Sequence, residues 1–326
     1  MKTPAIYIVA FVLMLVSCSS NTQKASQPEE KQIEVPTFNP DSALFYTAQQ
    51  IEFGYRIPNT QAHKDCGDYL TRELKRHGAT VTEQNMELYT YNNIRLEARN
   101  IIGAFSPEKK SRVLLFAHWD TRPFADQDPD SANHRKPIDG ANDSTGACGM
   151  LLEMARLIGI SQPEIGVDII FFDAEDWGVP VFERNKYGSG GWCLGSEYWS
   201  KNPHTPNYRA KYGILLDMVS APGALFYKEG ISMHYAKHIV EKVWNTAEDL
   251  GYGNYFINEA GGYVEDDHTQ VNKFRGIPSI DIIQHDPTTE TGFGSYWHTL
   301  ADNLDNVSKE TMKAVGQTVL QVIYNE

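Results

Sequence analysis

The sequence predicts a single α/β domain in which helices cover both faces of a mixed, mostly parallel central sheet. From about residue 111 onward, short apolar runs typical of buried strands alternate with segments whose apolar residues recur at helical spacing. No internal repeat and no change in composition divides the chain. We therefore expect one domain, over residues 40–326.

The order of the elements follows from the periodicity of the apolar residues. Two helices open the domain, at residues 41–56 and 63–78, and the glycine that ends the second is typical of a helix C-terminus. The pattern then changes to strands at 81–91, 98–105 and 111–120. Further along, the same patterns give helices at 145–159, 234–251 and 308–324, and strands at 167–172, 212–221 and 277–284.

Composition and charge argue against several classes of partner. The 326 residues, 41% of them hydrophobic and 22% charged, can bury a large core. The formal net charge of -13 argues against nucleic acids and anionic membrane surfaces, because both attract patches of lysine and arginine. We expect a monomer. The cysteines beyond the N-terminal segment, Cys66, Cys148 and Cys193, lack metal-ligand spacing, so we expect at most one disulfide.

The N-terminal segment has the pattern of a targeting signal. Lys2 precedes the apolar run AIYIVAFVLMLV, whose last two residues begin the sequence LVSC at residues 15–18. This pattern resembles a bacterial lipoprotein signal, which implies a signal peptide over 1–17, lipidation of Cys18 and a polar linker over 18–39. The protein would then be exported and held by lipid alone on a bacterial membrane, facing the periplasm or the cell surface. A plain secretory signal or a single membrane anchor is the alternative, although ~12 apolar residues are few for a spanning helix.

One buried strand ends in three acidic residues, which is unusual for a core element. The stretch VDIIFFDAEDWG, at residues 167–178, places Asp173, Glu175 and Asp176 directly after five apolar side chains. Taken alone, these acids are equally typical of a solvated loop. Other strands, however, end in the same residue types, since His118 and Asp120 follow one of them. Ligands of open α/β sheets bind beyond the carboxyl ends of the strands, where these side chains can converge.

Three more candidates fall at such positions. Asp217 lies in GILLDM, within the strand at 212–221, Asp143 precedes a helix, and His298 follows the last strand. Each has a simpler explanation, as a strand-end acid, a helix N-cap or a loop residue. Together they predict a metal site, because carboxylates crowded at one edge repel one another unless a cation neutralises them. Zinc accepts both imidazole nitrogen and carboxylate oxygen.

The segments HWD, GANDSTGACGMLLEMAR, FFDAED, LLDM and WHTLADN, in this order, resemble the zinc-dependent aminopeptidase superfamily over residues 40–326. The resemblance implies an α/β fold of that type and a catalytic base at Glu175. Members with two zinc ions use five ligands, which by position are His118, Asp143, Asp176, Asp217 and His298.

Two features resemble the glutaminyl cyclases within that superfamily, namely Trp297 directly before His298 and Asp266 in VEDDH. These enzymes convert N-terminal glutamine to pyroglutamate and release ammonia, so peptides or proteins with N-terminal glutamine would be the partners. The resemblance implies one zinc ion, bound by Asp143, Asp176 and His298, with a cis peptide bond after Asp143. It also implies that Glu175, Asp217 and Asp266 are catalytic, with Asp217 paired to Asp266. Trp297 and Trp192 would form walls of the pocket. His118 would be either a hydrogen-bonding neighbour of the site or the ligand of a second metal ion. The chain departs at Asp176, where animal cyclases have the longer glutamate.

Two other functions remain open from the sequence. A dizinc aminopeptidase is compatible with all five ligand positions. A lipoprotein that binds peptides without chemistry is a further alternative, but Glu175 argues against it, because a receptor needs no general base. Core packing is the alternative for Trp192, Trp297 and Trp177, and a solvated acidic turn is the alternative for residues 265–267. The segment at 177–195 is either a pocket rim or an elaborated loop.

Overall fold

The computed structural model describes residue 1 and residues 34–326, and residues 34–326 lie in one compact unit. The predicted signal peptide, Cys18 and most of the predicted linker lie outside the described residues. None of the helices that are described is both long enough and apolar enough to cross a membrane.

The elements follow the predicted order. The helices are α1 (Pro40–Ile51), α2 (Gln61–Arg76), α3 (Gly146–Ile160), α4 (Arg184–Tyr187), α5 (Leu194–Lys201), α6 (Gly230–Asp249), α7 (Asp267–Gln270) and α8 (Lys309–Tyr324). The strands are β1 (Thr80–Tyr89), β2 (Arg95–Phe105), β3 (Arg112–His118), β4 (Gly166–Phe172), β5 (Gly213–Asp217), β6 (Phe226–Lys228), β7 (Phe256–Ala260) and β8 (Ser279–Ile283).

The central sheet is mixed and mostly parallel, which confirms the predicted fold class. Its strand order is β1-β2-β4-β3-β5-β8. The four strands β4, β3, β5 and β8 run parallel to one another, whereas β1 and β2 are antiparallel to their neighbours. The carboxyl ends of the four parallel strands therefore meet at one edge.

Helices cover both faces of this sheet. Every residue of β3, β4, β5 and β8 is buried, as expected for parallel strands between two layers. Successive side chains of β3 point to opposite faces, so that Val113 and Leu115 join the larger core while Leu114 and Phe116 join the smaller one. The larger core contains residues of α1, α2, α3, α6 and α8, and the smaller one contains Trp199 of α5.

The domain begins earlier than the predicted boundary at residue 40. Phe38 is only 1% exposed, and its backbone N–H donates to Gln317 Oε1 at 2.9 Å. Its ring packs on Gly316 of α8, where a Cβ atom would lie 2.5 Å from a ring carbon. At least residues 34–39 therefore belong to the domain. The predicted linker is mostly polar, but it contains the apolar side chain of Phe38, which joins the core, and Asn39, which caps α1.

Two other predictions about the elements were wrong. The first helix ends at Ile51 and does not reach Arg56, because the backbone turns at Gly54, whose φ is 90°. The buried Arg56 guanidinium binds the carbonyl oxygens of Gly54 and Asp139, at 2.9 and 2.5 Å. The small parallel sheet of β6 and β7 and the helix α5 were not predicted, since these short segments show no clear period.

Candidate active site

The predicted site residues meet at the carboxyl edge of the parallel strands. A cavity of about 360 Å³ opens there. Acids, histidines and aromatic side chains line it, among them Asp143, Glu175, Asp176, Trp192, Asp217, Asp266, Phe293, Trp297 and His298. The edge of the sheet thus brings together side chains from six separate segments of the chain.

Asp173, the first acid after β4, has a structural role. Its carboxylate accepts hydrogen bonds from the backbone N–H groups of Arg99, at 2.6 Å, and Ala174, at 2.8 Å. His63 Nε2 lies 2.9 Å from both carboxylate oxygens. Asp173 is fully buried and does not line the cavity. It therefore fixes the end of the strand, whereas Glu175 and Asp176 line the cavity.

Asp120 holds the two following acids in place. Its carboxylate accepts the backbone N–H groups of Glu175, at 3.0 Å, and Asp176, at 3.2 Å. The backbone oxygen of Asp120 lies 3.2 Å from His118 Nδ1, which therefore carries the proton of that bond. Asp120 thereby orients the turn after β4 and the imidazole at the end of β3, and it sends the Glu175 and Asp176 side chains toward the cavity.

Asp143, Asp176 and His298 form a group that fits a tetrahedral metal. His298 Nε2 lies 3.4 Å from Asp143 Oδ2 and 3.3 Å from Asp176 Oδ1. Metal–ligand bonds of roughly 2.0–2.2 Å separate tetrahedral ligands by about 3.3–3.6 Å. The second oxygen of Asp176, Oδ2, is buried and has no hydrogen-bond partner within residues 34–326. A buried, unpartnered carboxylate oxygen in such a group favours a cation.

The charges of this group also require a cation or a proton. Burial raises the pKa of Asp176 to about 6, and the nearby Asp143 adds to the rise although His298 opposes it. Burial and Arg122 lower the pKa of His298, but contacts with Asp176, Asp126 and Asp143 raise it to about 10. Without a metal, a proton on His298 supplies one positive charge against the two carboxylates of Asp143 and Asp176. A divalent metal ion bound between them would neutralise both.

Arg122 and Asp126 support two of the three potential ligands from behind. Arg122 donates to both oxygens of Asp126, at 2.7 and 2.9 Å, and its Nη1 lies 3.4 Å from Asp176 Oδ1. Asp126 Oδ1 lies 3.5 Å from His298 Nδ1, which directs Nε2 of that ring into the cavity. Burial raises the pKa of Asp126, but hydrogen bonds from His298 and Arg122 hold it well below its usual range.

Asp143 is placed by an irregular helical turn, Ala141–Thr145, that leads into α3. Its φ and ψ of -110° and 87° are not helical, and the peptide bond to Ser144 is cis, as the resemblance implies. Asp302 accepts the backbone N–H groups of Asn142, at 2.8 Å, and Asp143, at 3.1 Å. The alternative of a helix N-cap is wrong, because the Asp143 side chain points away from α3 and toward two histidines.

His118 joins Asp143 to Asp217 in a second group. Its Nε2 lies 3.0 Å from Asp143 Oδ1 and 3.5 Å from Asp217 Oδ1. Burial lowers the pKa of His118, but hydrogen bonds with Asp120, Asp143 and Asp217 raise it well above 6.5. Unlike Asp176, none of these three side chains has a buried unpartnered atom in the described part of the chain. A protonated imidazole therefore satisfies this group without a metal.

The predicted pairing of Asp217 with Asp266 stays a prediction. Asp217 Oδ1 lies 3.5 Å from His118 Nε2, and Asp266 accepts the N–H of Asp267. Burial and the charge of Asp217 raise the pKa of Asp266 well above its usual range, and both carboxyl groups line the cavity.

Glu175 lines the same cavity and has the properties of a general base. Burial raises its pKa well above 4.5, and Asp266 adds to the rise although His118 opposes it. A carboxylate with a raised pKa binds a proton more readily near neutral pH. Cys193 Sγ lies 3.2 Å from Glu175 Oε1, in hydrogen-bond contact.

Both predicted tryptophans line the cavity. The Trp297 ring stacks on the imidazole of His298, with centroids 3.7 Å apart, and the Trp192 ring lies parallel to the same imidazole at 5.9 Å. The guanidinium of Arg122 lies over the Trp192 ring at 4.6 Å. Ser189 and Trp192 make the segment 177–195 part of the cavity wall, whereas Trp177 is buried in a small apolar cluster.

Four residues of the site have left-handed backbones although none is glycine. The φ angles are 54° at Ala174, 58° at Cys193, 47° at Met218 and 54° at His298. This conformation costs roughly 1–2 kcal/mol per residue for L-amino acids. Such residues concentrate at functional sites, where the surrounding structure holds them.

Four residues that position the site were not predicted: Arg122, Asp126, Cys193 and Asp302. Asp302 lies inside the segment WHTLADN, so its position was noted but not its role. Arg122 and Asp126 follow His118 within one loop, four residues apart, which gave no specific signal.

The comparisons with known proteins agree with this geometry. A Zn-dependent exopeptidase from Parabacteroides distasonis is 59% identical, with a TM-score of 0.88, over 90% of this chain and 100% of that one. A glutaminyl cyclase from Tannerella forsythia is 58% identical, with a TM-score of 0.87, over 89% of this chain and 100% of that one.

A curated relative is more distant. Glutaminyl-peptide cyclotransferase of Bos taurus is 28% identical over 258 residues, which are 70% of this chain and 65% of the bovine protein. The family described as Peptidase family M28 matches residues 100–323, which include every residue that lines the cavity. The chain therefore belongs to peptidase family M28.

Proposed function

We propose that the chain is a zinc-dependent glutaminyl cyclase that closes the N-terminal glutamine of a peptide to pyroglutamate and releases ammonia. The observation that carries this proposal is one cavity in which a buried base, Glu175, faces a metal-binding group and aromatic walls. The 58% identity to the Tannerella forsythia glutaminyl cyclase supports the same reaction.

Asp143, Asp176 and His298 would hold the zinc ion. Their donor atoms all lie within 4.8 Å of one another, and Asp176 reaches the group although it is one methylene shorter than glutamate. When bound, zinc supplies Lewis-acid polarisation of the side-chain amide of the substrate. Arg122, Asp126 and Asp120 keep these ligands in place.

Glu175 moves the proton in this reaction. The α-amine of the substrate attacks the carbon of its own side-chain amide, so the nucleophile is already in the molecule and its orientation lowers the barrier. Glu175 takes a proton from the attacking amine and returns it to the amide nitrogen, whose bond to carbon then breaks. The products are the five-membered lactam and ammonia, and the base is restored.

The other residues that line the cavity pack against the substrate or form hydrogen bonds with it. Trp297 and Trp192 would pack on the methylene groups of the glutamine. Burial and the charge of Asp217 raise the pKa of Asp266, which favours its protonated form. In that form Asp266 would donate toward the departing nitrogen, and Asp217 would accept from that nitrogen. Asp217 also favours a proton on His118. The N–H of the protonated imidazole points to the place where a second metal ion would bind.

Aminopeptidase activity is the second candidate. The specific observation in its favour is the second group, His118, Asp143 and Asp217, whose donor atoms also lie within 4.8 Å of one another. A metal ion there would activate water for hydrolysis. Cyclisation remains the better account, because only the group with Asp176 contains a buried oxygen that lacks a partner in residues 34–326.

We also propose that the protein is an exported lipoprotein, anchored through Cys18. The support is the apolar run that precedes LVSC. Peptides or proteins with N-terminal glutamine outside the cytoplasm would be its substrates.

A peptide that begins with glutamine should lose ammonia and keep its full chain when incubated with the protein. The same peptide with N-terminal asparagine should remain unchanged, because its shorter side chain would close to a strained four-membered ring. Mass spectrometry separates loss of ammonia from loss of a residue. Release of free glutamine would contradict cyclisation and favour the aminopeptidase.

Glu175→Gln and Asp176→Ala should fail in different ways. Glu175→Gln keeps the metal ligands but removes the base, so turnover should fall about 100-fold or more with zinc content unchanged. Asp176→Ala should lose zinc on dialysis. Metal analysis and the ammonia assay measure the two effects. The assignment of Glu175 would be refuted by a glutamine variant that keeps turnover within about tenfold of the original protein.

Cys18→Ser should move the protein from the membrane fraction to the soluble fraction. Stable attachment of a lipoprotein depends on its acyl chains, and the variant cannot receive them. Fractionation and immunoblotting in a bacterial host measure the distribution, with Cys66→Ser as the matched control. A Cys18 variant that is cleaved yet still sediments with membranes would exclude the lipoprotein assignment.

A further inference from the structure

Cys193 is the hydrogen-bond partner of the proposed base. Its Sγ lies 3.2 Å from Glu175 Oε1, and both side chains are buried. Within residues 34–326, this thiol is the one group that donates a hydrogen bond to the Glu175 carboxylate. Neither the metal-binding group nor the tryptophan walls explain why a cysteine lies at this point.

The backbone fixes the thiol relative to the carboxylate. The N–H groups of Cys193 and Leu194 donate to the carbonyl oxygens of Glu175, at 3.0 Å, and Ala174, at 3.1 Å. On the other side, the carbonyl oxygen of Cys193 accepts the N–H of Glu197 in the first turn of α5, at 3.0 Å. Backbone hydrogen bonds on both sides of Cys193 thus stabilise its positive φ of 58°. They also fix the backbones of Cys193 and Glu175 relative to each other, which keeps the two side chains in contact.

A thiol suits this position better than a charged donor. Burial, together with the neighbouring Glu175, raises the pKa of Cys193 well above 9, so the group stays neutral. Lysine or arginine would hold the carboxylate more tightly but would also lower its affinity for a proton. A neutral S–H group is a weak donor, which can fix the direction of a carboxylate and leave its basicity nearly intact.

We propose that Cys193 is a positioning residue for Glu175, with its S–H donating to Oε1 so that Oε2 faces the amine of the substrate. This inference rests on the proposed function, since it assigns Glu175 the transfer of the proton. The thiol itself does not react. It restricts the rotation of the Glu175 side chain, and the rate of the proton transfer depends on that orientation.

Cys193→Ala should lower kcat for a glutamine peptide about tenfold and change KM less than about twofold, because it disorders the base without altering the binding walls. Cys193→Ser, which restores a neutral donor, should recover kcat to within about threefold of the original protein. Steady-state ammonia release gives both constants, and thermal unfolding shows whether each variant is folded.

Cys66→Ala is the matched control, because it removes another buried thiol, in α2, away from the cavity, and should leave kcat unchanged. If Cys193→Ala does not fold, Cys193→Gly provides the same comparison, since glycine also lacks a donor and adopts the positive φ of this position without strain. A folded donor-free variant with the original kcat, or a serine variant as slow as the alanine variant, would overturn the role of Cys193. Absence of cyclisation by the original protein would instead overturn the proposed function and this inference together.

Discussion

Two buried carboxylates, Asp143 and Asp176, that share one imidazole are the constraint on which the rest of this structure depends. Burying an ionised carboxylate costs several kcal/mol unless a positive charge or hydrogen bonds compensate it. Asp143 obtains compensation from two histidines, His118 and His298, whereas Asp176 keeps one oxygen without a partner in the described residues. A cation bound by this group explains why Arg122 and the site histidines are arranged around the two carboxylates.

Two classes of acid meet at the edge of the sheet. Asp120, Asp173 and Asp302 accept backbone N–H groups and so fix the turns that follow the strands or precede α3. Glu175 and Asp266, in contrast, turn their carboxyl groups to the cavity. The structural acids hold the functional ones, which explains why a core strand ends in three acidic residues of which only two reach the cavity.

The fold was largely predictable because parallel strands buried on both faces leave continuous apolar runs, as β3 and β4 do. The candidate site was predictable to the extent that each potential ligand follows a strand or precedes a helix. Hydrogen-bond partners across the chain were not, because their contacts join segments far apart in sequence. Asp302 binds the N–H of Asn142 across 160 positions, and Cys193 meets Glu175 only through a left-handed turn.

Sequence pattern identified both Asp217 and Asp266, and their pairing stays a prediction. It did not indicate the contact between Asp217 Oδ1 and His118 Nε2, which lie 3.5 Å apart. The same contact decides the number of metal ions, because a protonated His118 and a second metal ion cannot occupy one place.

Anomalous diffraction at the zinc absorption edge, from crystals of protein purified without chelator, tests this point most directly. The account predicts a single peak at bonding distance from Asp143, Asp176 and His298, with His118 bound to Asp143 and Asp217 through its Nε2 proton. A second peak between His118 and Asp217, or a single peak at that position alone, would contradict it.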